Sequence, residues 1–504
     1  MAMKWMLGAG LAALMIQFSA VGVQAADKEK LKKCIDEIAA RQALKGAVWG
    51  VCVKGMDGST VASRNELVRM IPASNLKLIT TGTAMHALGA DFRFETGLAY
   101  TGEITDGTLK GDVYIVGGGD PTIASRDSIS LTADGLFWKW KSMLKKVGIQ
   151  RIDGRIIGDG RAFEGALENT SWTYDDTGTF YGCGGNALGF YANAVDYSVS
   201  AGSLGEPVKI SQTYPETPWM HIENYTSTAT AGSGNSLFLF TTDLAPYGEW
   251  RGTFAQDRRP KAEHTANKYG ALTCAYYFWK YLKTTGFEVS GAYCDFARDG
   301  SVRSGVDWTL SPEGAAGTAG MAGMVEIGRT KSAPLSQIAK ITNWRSDNYF
   351  AESIFRTLGE KACGISVYDS CSVAVNEVLE SLGLKASDIH IEDGSGLSRK
   401  NAVSPAFFCD FLLAMRSSNA AGDFLCSLPA LGEGTLWSLL PNHPQRSRIR
   451  LKSGSMEGVL CYSGYVLDAE GAPVYVFSIL TNATTAKIGD VRSSLARLLT
   501  LLLE

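Results

Sequence analysis

Ser74 and Lys77 are the first residues in this chain whose types and spacing could do chemistry. They lie one helical turn apart in the apolar stretch "IPASNLKLIT", residues 71–80. A serine beside a lysine that has lost its proton is a nucleophile for acyl transfer. The same spacing also fits an ordinary helix N-cap followed by a surface lysine. Because Ser142 and Lys145 repeat the spacing in "KSMLKK", where no further chemistry is visible, the pair alone leaves both interpretations open.

Histidine is the usual base for a serine nucleophile, but the five histidines here lie in contexts typical of structural residues. No His-Glu-x-x-His motif is present, so the ligands for metal-dependent hydrolysis are missing, and neither a metal nor a cofactor is predicted. Lysine remains as the base. Its ordinary pKa of about 10.4 must fall for this role, and burial or a second cation nearby lowers it. The histidines are His86, His221, His264, His390 and His443.

Two later segments supply the other groups that such a site needs. "WRSDNYFAES" contains Ser346 and Asn348, and "RLKSGSMEGV" contains Lys452 followed by a serine and a glycine. A Ser-x-Asn pattern is weak by itself, because it recurs elsewhere in the chain, whereas Lys-Ser/Thr-Gly occurs once. The Lys-Ser-Gly motif directly precedes a predicted C-terminal hairpin. This position favours an edge strand facing a cleft, where a substrate can add through its backbone.

The order Ser-x-x-Lys, Ser-x-Asn, Lys-Ser-Gly resembles that of the penicillin-binding proteins and serine β-lactamases. The long separation of Ser74 from Ser346 is similar to that in the class C low-molecular-mass penicillin-binding proteins, the D-alanyl-D-alanine carboxypeptidase/endopeptidases of peptidase family S13. That family carries a large insertion between the first two motifs. Further stretches that resemble it are "GADFRFETGL", "LKGDVYIVGGGDPT", "KSAPLSQIAKITNWRSDNYFAES" and "EDGSGLSRKNAVSP".

The resemblance implies a role for each residue of the first two motifs. Ser74 attacks the carbonyl of the penultimate D-Ala of a peptidoglycan stem peptide, and Lys77 is its general base. Ser346 passes a proton towards the leaving group with help from Lys452. Asn348 holds the base and the amide of the substrate.

The third motif is expected to bind the substrate. By the resemblance, the backbone N–H groups of Ser74 and Ser455 form the oxyanion hole. Lys452 and Ser453, which precede Gly454, bind the terminal carboxylate as cation and hydroxyl donor. Ser453 stands where the family more often has threonine, and because the hydroxyl is kept, we expect function to be retained.

A pocket for the third residue of the stem peptide is also implied by the resemblance. Asp176 in "SWTYDD" and Arg399 in "GLSR" match residues that bind a diaminopimelate side chain in the family. An ion pair elsewhere in the molecule is the alternative for Arg399. Glu457, which follows "KSGS", stands where the family has a neutral amide, so this part of the pocket departs from the family pattern.

These residues need elements that bring three distant segments together. After the first 25 residues, the chain begins with an amphipathic helix, "DKEKLKKCIDEIAARQAL", and a hairpin. It ends with a hairpin and a helix that carries a stripe of leucines. By the resemblance the fold class is α+β, with a five-stranded antiparallel sheet flanked by helices and with the first and last helices packed together. The catalytic domain is predicted over residues 27–95 and 300–504. A mostly β inserted region of one or two subdomains is predicted over residues 96–299.

The first 25 residues are typical of a secretory signal peptide, with Lys4, an apolar run and a small-x-small ending. We therefore expect an exported, periplasmic protein with no transmembrane anchor once this segment is removed. The net charge of −3, without a basic block, argues against a nucleic-acid partner. The ten cysteines are scattered and lie mostly in apolar runs, which favours free buried thiols.

The function predicted from these observations is that of a serine D-alanyl-D-alanine carboxypeptidase/endopeptidase. Its expected partners are the peptidoglycan stem peptide and, as acylating inhibitors, β-lactam antibiotics. A serine β-lactamase would differ in how fast water clears the acyl group. A non-catalytic peptidoglycan-binding or penicillin-sensing protein is the alternative of another class.

Overall fold

The beginning and the end of the chain meet in one five-stranded antiparallel sheet. The structure is a computed structural model that describes residues 28–311 and 323–504. Val48–Gly55 pairs with Pro473–Asn482 in continuous register. The strands run across the sheet in the order Thr60–Arg64, Val48–Gly55, Pro473–Asn482, Val459–Leu467 and Ile449–Met456.

Alternation along the strand Pro473–Asn482 divides its apolar residues between the two faces of this sheet. Phe477 and Ile479 belong to one hydrophobic core. Val476 and Leu480 belong to another core, on the opposite face. The sheet is therefore buried on both sides.

The first and last helices cover one of these faces together. Residues 28–39 are helical, and the last helix is Ile488–Leu501. Ile35 of the first and Leu495 of the last helix lie in the same core as the strands between them. The predicted α+β class, with a five-stranded antiparallel sheet flanked by helices, is confirmed.

The other face of the sheet supports the helices that carry the first two motifs. The Tyr465 hydroxyl, on a central strand, donates a hydrogen bond to the Leu412 carbonyl at 2.7 Å and so joins the sheet to this layer. The helices of the layer are Lys77–Leu88, Leu335–Arg345, Asn348–Cys363, Tyr368–Ser381, Pro405–Arg416 and Ala421–Ser427.

A seven-stranded mixed sheet forms the largest element between the first two motifs. Its edge strand Val325–Lys331 pairs antiparallel with Glu95–Tyr100, so the chain returns to this sheet after the predicted end of the insertion. The domain limits themselves remain a prediction. The strand order is Leu310–Ser311, Val302–Ser304, Tyr293–Phe296, Ile156–Asp159, Val113–Val116, Glu95–Tyr100 and Val325–Lys331.

The helices Ala133–Lys146 and Gly270–Thr284 share a hydrophobic core with strands of this sheet, such as Val113–Val116. A four-stranded sheet adjoins it, with the order Glu288–Val289, Arg151–Ile152, Thr108–Lys110 and Glu103–Thr105.

Smaller sheets complete the inserted part. One has the order Lys209–Tyr214, Ala194–Ser200 and Lys261–Ala266, and a second His221–Asn224, Tyr247–Arg251 and Phe238–Thr241. A third pairs Ser227–Ala229 with Thr253–Ala255. Val199, Leu239 and Trp250 share a hydrophobic core between them.

The predicted signal peptide, residues 1–25, lies outside the described residues. Among the residues that are described, no helix is both long and apolar enough to cross a membrane. All ten cysteines lie in the described part as free thiols, and seven of them are buried.

Candidate active site

Ser74 lies in a short 3-10 turn, Ala73–Leu76, that leads directly into the helix Lys77–Leu88. Ala73 holds a left-handed backbone conformation with φ of 45°, which is uncommon for a residue with a side chain. The Ser74 side chain does not cap the helix, because neither the turn nor the helix has a side-chain cap hydrogen bond. The N-cap interpretation of Ser74 is therefore not the one that the structure shows.

Lys77 is fully buried, so it is not the surface lysine of the alternative interpretation. Its Nζ donates to Ser74 Oγ at 3.0 Å, to Asn348 Oδ1 at 2.6 Å and to the Ser395 carbonyl at 2.7 Å. Burial lowers the pKa of Lys77 to about 8, although nearby carboxylates oppose this shift. A lysine with this pKa is partly deprotonated near neutral pH and can accept the proton of a hydroxyl.

Lys452 forms a second buried contact with a serine. Its Nζ donates to Ser346 Oγ at 2.9 Å and to the Ser453 carbonyl at 2.6 Å. Burial and then the neighbouring positive charge of Lys77 lower the pKa of Lys452 well below its ordinary value. Two lysines that disfavour each other's charge make it easier for one of them to be neutral.

The second motif forms the joint between two helices. Ser346 ends the helix Leu335–Arg345 in a left-handed conformation with φ of 58°. Asp347 then caps the next helix, Asn348–Cys363, by accepting from Phe350 N at 3.0 Å. This reversal places the side chains of Ser346 and Asn348 against two different lysines.

Gly454 allows the third motif to approach the turn that carries Ser74. A Cβ atom at this position would lie 2.6 Å from the Pro72 carbonyl oxygen and 2.9 Å from Ser74 N. Both neighbours are backbone atoms that cannot move aside. The strand Ile449–Met456 therefore needs glycine here to place its backbone beside that of Ser74.

Replacing Gly454 by alanine is expected to lower the rate constant for acylation by penicillin by about a hundredfold. The added Cβ atom pushes the strand away from the turn with Ser74, and a displacement of about 1 Å misplaces the groups that surround the β-lactam carbonyl. The measurement is the time course of covalent labelling at several penicillin concentrations. Gly422→Ala is the matched control, since a Cβ atom there meets nothing within 4 Å. An unchanged rate in Gly454→Ala would contradict this account of the strand.

A cavity of about 150 Å³ opens beside Ser74 and Ser346. Ser453 and Ser455 of the third motif line it, and Ser453 Oγ lies 2.8 Å from Thr435 Oγ1. The cavity also reaches Arg492 of the last helix, a cation that the sequence motifs do not include. Its lining is therefore rich in hydroxyl groups and carries one cationic side chain.

A fourth segment, "DGSG" at residues 393–396, completes the surroundings of Lys77, and sequence reasoning assigned it no role. Glu352 Oε1 accepts from Ser395 N at 2.7 Å and thereby holds the loop whose Ser395 carbonyl accepts from Lys77. Burial raises the pKa of Glu352 to about 8. In the sequence, the position of the acidic Glu352 inside the apolar stretch "NYFAESIF" is the feature that could have indicated this role.

The inserted part of the chain also contacts the second motif. Asn348 Nδ2 donates to the Tyr181 carbonyl at 2.9 Å. Asp127 forms an ion pair with Arg345, the residue before Ser346. The insertion therefore holds both ends of the Ser-x-Asn segment.

The residues predicted for the third position of the stem peptide lie on three segments. Arg399 Nη1 donates to the Glu457 carbonyl at 3.3 Å on the exposed side of the third motif. Asp176 accepts from Thr173 Oγ1 at 2.5 Å, in the loop that continues to Tyr181. Within residues 28–311 and 323–504, no hydrogen bond joins Asp176 to Arg399, and Arg399 forms no ion pair.

Comparison with known proteins gives the family. The model of the D-Ala-D-Ala carboxypeptidase 3 (S13) family matches residues 31–295 and 315–502. The chain belongs to the S13 family. As an S13 member it is a serine-type D-Ala-D-Ala carboxypeptidase.

Relatives of this S13 chain match it along most of its length. It is 29% identical over 467 residues to a D-alanyl-D-alanine carboxypeptidase of Actinomadura sp. (strain R39), a match that covers 90% of this chain and 81% of the relative. It is 24% identical over 459 residues to D-alanyl-D-alanine carboxypeptidase DacB of Haemophilus influenzae, covering 90% and 88% of the two chains.

A solved structure shows the same fold. The crystal structure of penicillin binding protein 4 (dacB) from Haemophilus influenzae superposes with a TM-score of 0.75 at 22% identity. The match covers 92% of the S13 chain and 97% of that structure. The arrangement of sheet, helices and insertion described above is therefore one already seen in a crystal.

Proposed function

We propose that this S13 enzyme removes the terminal D-Ala from peptidoglycan stem peptides, and cuts D-Ala cross-links, through an acyl-enzyme on Ser74. The observation that carries the proposal is the buried Lys77 Nζ, 3.0 Å from Ser74 Oγ. Neutral Lys77 takes the Ser74 proton as Oγ attacks the carbonyl carbon of the penultimate D-Ala. The charge that develops on the carbonyl oxygen is held by the backbone N–H groups of Ser74 and Ser455.

Breakdown of the tetrahedral intermediate uses the second lysine. The bond between the carbonyl carbon and the leaving nitrogen breaks, and the nitrogen takes a proton through Ser346, which Lys452 contacts at 2.9 Å. Water then attacks the ester on Ser74, and the shortened peptide leaves. Asn348 supports the first step by fixing Lys77 through its Oδ1 atom.

The substrate contacts follow from the third motif and its neighbours. Ser453 donates its hydroxyl to the terminal carboxylate. A carboxylate bound beside Lys452 favours the positively charged form of this lysine, which burial and Lys77 disfavour in the free enzyme, and so the two groups attract each other. Gly454 lets the strand pair with the extended peptide. Asp176 and Arg399 bind the side chain at the third position of the stem peptide. Glu457 contributes its backbone carbonyl, which holds Arg399.

Acylation by β-lactams follows from the same groups, because the strained amide of a β-lactam takes the place of the D-Ala-D-Ala bond. The Haemophilus influenzae penicillin binding protein 4 was solved in complex with a novel β-lactam, and that structure superposes here with a TM-score of 0.69. This supports the proposal. The action on peptidoglycan also requires an exported, periplasmic protein, in keeping with the signal-peptide pattern of residues 1–25.

The test is to incubate the protein with labelled penicillin and, separately, with a peptide that ends in D-Ala-D-Ala. We expect a stable adduct on the tryptic peptide that contains Ser74 and the release of free D-Ala. A protein that takes up no label and releases no D-Ala would overturn the proposal. Rapid turnover of the β-lactam would identify a β-lactamase instead.

A further inference from the structure

One face of a small sheet in the inserted part is open to solvent and rich in aromatic rings. The strands His221–Asn224, Tyr247–Arg251 and Phe238–Thr241 form this sheet. Side chains along the last two strands alternate between buried positions and positions that are exposed or half-buried, with Leu239 and Trp250 buried on the inner face. The outer face of such a sheet is normally polar, so aromatic residues on it are unusual.

The rings on the outer face form two groups, which the side chains of Glu249 and Arg251 connect. Phe238 lies on the same face as Phe240, at a ring distance of 4.7 Å, and Tyr174 stacks on Phe240 at 4.6 Å. Across the sheet, the His221 and Tyr247 rings stack at 5.7 Å. We call the surface made by Tyr174, His221, Phe238, Phe240 and Tyr247 the aromatic face.

Charged groups lie among these rings, but they are paired with one another. Arg251 Nε donates to Glu249 Oε2 at 2.9 Å, and the Tyr247 hydroxyl donates to Glu249 Oε1 at 3.0 Å. His221 Nε2 lies 2.7 Å from Glu223 Oε1. The aromatic face therefore offers hydrogen-bond donors and acceptors without a strong net charge, which suits a neutral polar partner more than an acidic polymer or an anionic membrane.

The aromatic face is connected to the active site by one short loop. Tyr174 lies at its start, and Tyr181 further on accepts the hydrogen bond from Asn348 through its carbonyl. Between them, the loop packs closely against the strand Phe238–Thr241, since a Cβ atom at Gly178 would lie 1.5 Å from the Leu239 carbonyl oxygen. The loop that contributes Tyr174 to the aromatic face therefore also contacts the second motif of the active site.

We propose that the aromatic face binds the glycan strand of peptidoglycan. The apolar faces of sugar rings stack on aromatic rings, while sugar hydroxyl and acetamido groups hydrogen-bond to the polar groups between them. An exposed apolar patch rimmed by polar residues marks a binding surface. This inference rests on the proposed function, because a stem peptide held at Ser74 is covalently attached to such a glycan.

The test uses soluble glycan strands from which an amidase has removed the stem peptides and whose freed lactyl carboxylates have been capped as methylamides. These strands are neutral, as they are when the peptides are attached, and the active site has nothing to bind. We expect the wild-type protein to bind these strands in a titration. Tyr174→Ala and Phe240→Ala should each weaken binding about two- to tenfold, the usual contribution of one stacked ring. Trp138→Ala is the matched control, because Trp138 is 62% exposed on the helix Ala133–Lys146, away from this sheet.

The rate of penicillin acylation is measured in the same proteins and should be unchanged in all of them. Tyr174, which is 68% exposed, can be replaced without disturbing a core, so its variant stays informative if Phe240→Ala fails to fold. The proposal is overturned if wild type ignores peptide-free strands, if Trp138→Ala weakens binding equally, or if vesicles of anionic phospholipid bind in their place. If the wild-type protein binds the glycan strands but is not labelled by penicillin, the result counts against the proposed function and not against the aromatic face.

Discussion

Replacing Ser74 by alanine is expected to reduce covalent labelling by penicillin and release of D-Ala to below about a thousandth of the wild-type rates. Ser74 Oγ is the hydroxyl that Lys77 contacts, and the strand with Gly454 runs beside the backbone of Ser74. Without it, no oxygen remains in place to form the acyl bond. The measurements are uptake of labelled penicillin and a chemical assay for free D-Ala.

The chain contains its own control for this variant. Ser142 and Lys145 have the same spacing as Ser74 and Lys77, but they lie on the helix Ala133–Lys146, and Ser142 Oγ donates to the Trp138 carbonyl at 2.8 Å. Ser142→Ala should therefore leave both activities unchanged. A Ser74→Ala protein that still takes up the label would show that another residue is the nucleophile.

Replacing Lys77 by methionine is expected to slow acylation by about 10²- to 10⁴-fold, the usual contribution of a general base. The pH dependence adds a second prediction. The pKa of Lys77 is lowered to about 8, so the neutral form, which accepts the proton, becomes more abundant as the pH rises. The wild-type acylation rate should therefore increase up to about pH 8, and this limb should be absent in Lys77→Met.

The control for this variant is Lys145→Met, which removes an exposed lysine from the other Ser-x-x-Lys pair and should retain the wild-type profile. Circular dichroism of Lys77→Met checks that the variant is folded. A folded Lys77→Met protein whose acylation rate still rises towards pH 8 would exclude Lys77 as the group that titrates.

Hydrophobic periodicity and turn residues predict those elements of the fold that are formed by one continuous stretch of sequence, such as a hairpin or a helix. The opening and closing hairpins and the leucine-striped last helix were predicted and belong to the confirmed five-stranded sheet and its cover. Local patterns do not predict the pairing of Val325–Lys331 with Glu95–Tyr100, because more than 200 residues separate these two strands in the sequence. A local pattern carries no information on such a partner.

The site shows the same division. Motif order and resemblance point to Ser74, Lys77 and Lys452 without the help of any geometry. The Ser395 and Tyr181 carbonyls, which accept from Lys77 and Asn348, were missed because every residue has a backbone carbonyl and its use depends on how the chain is folded. Side-chain types reveal candidates for chemistry, whereas the backbone groups that orient them become visible in three dimensions.

The pairing of the strand Val48–Gly55 with Pro473–Asn482 has a consequence for how the enzyme is made. The turn with Ser74 follows the hairpin that begins with the first of these strands. Two strands, Pro473–Asn482 and Val459–Leu467, separate Val48–Gly55 from the Lys-Ser-Gly strand in the same sheet. During synthesis, this sheet cannot close until almost the whole chain has been made, because its central strand Pro473–Asn482 lies near the C-terminal end, and such long-range contacts form slowly. The turn with Ser74 and the Lys-Ser-Gly strand are therefore brought together only after the last strands of the chain have been made.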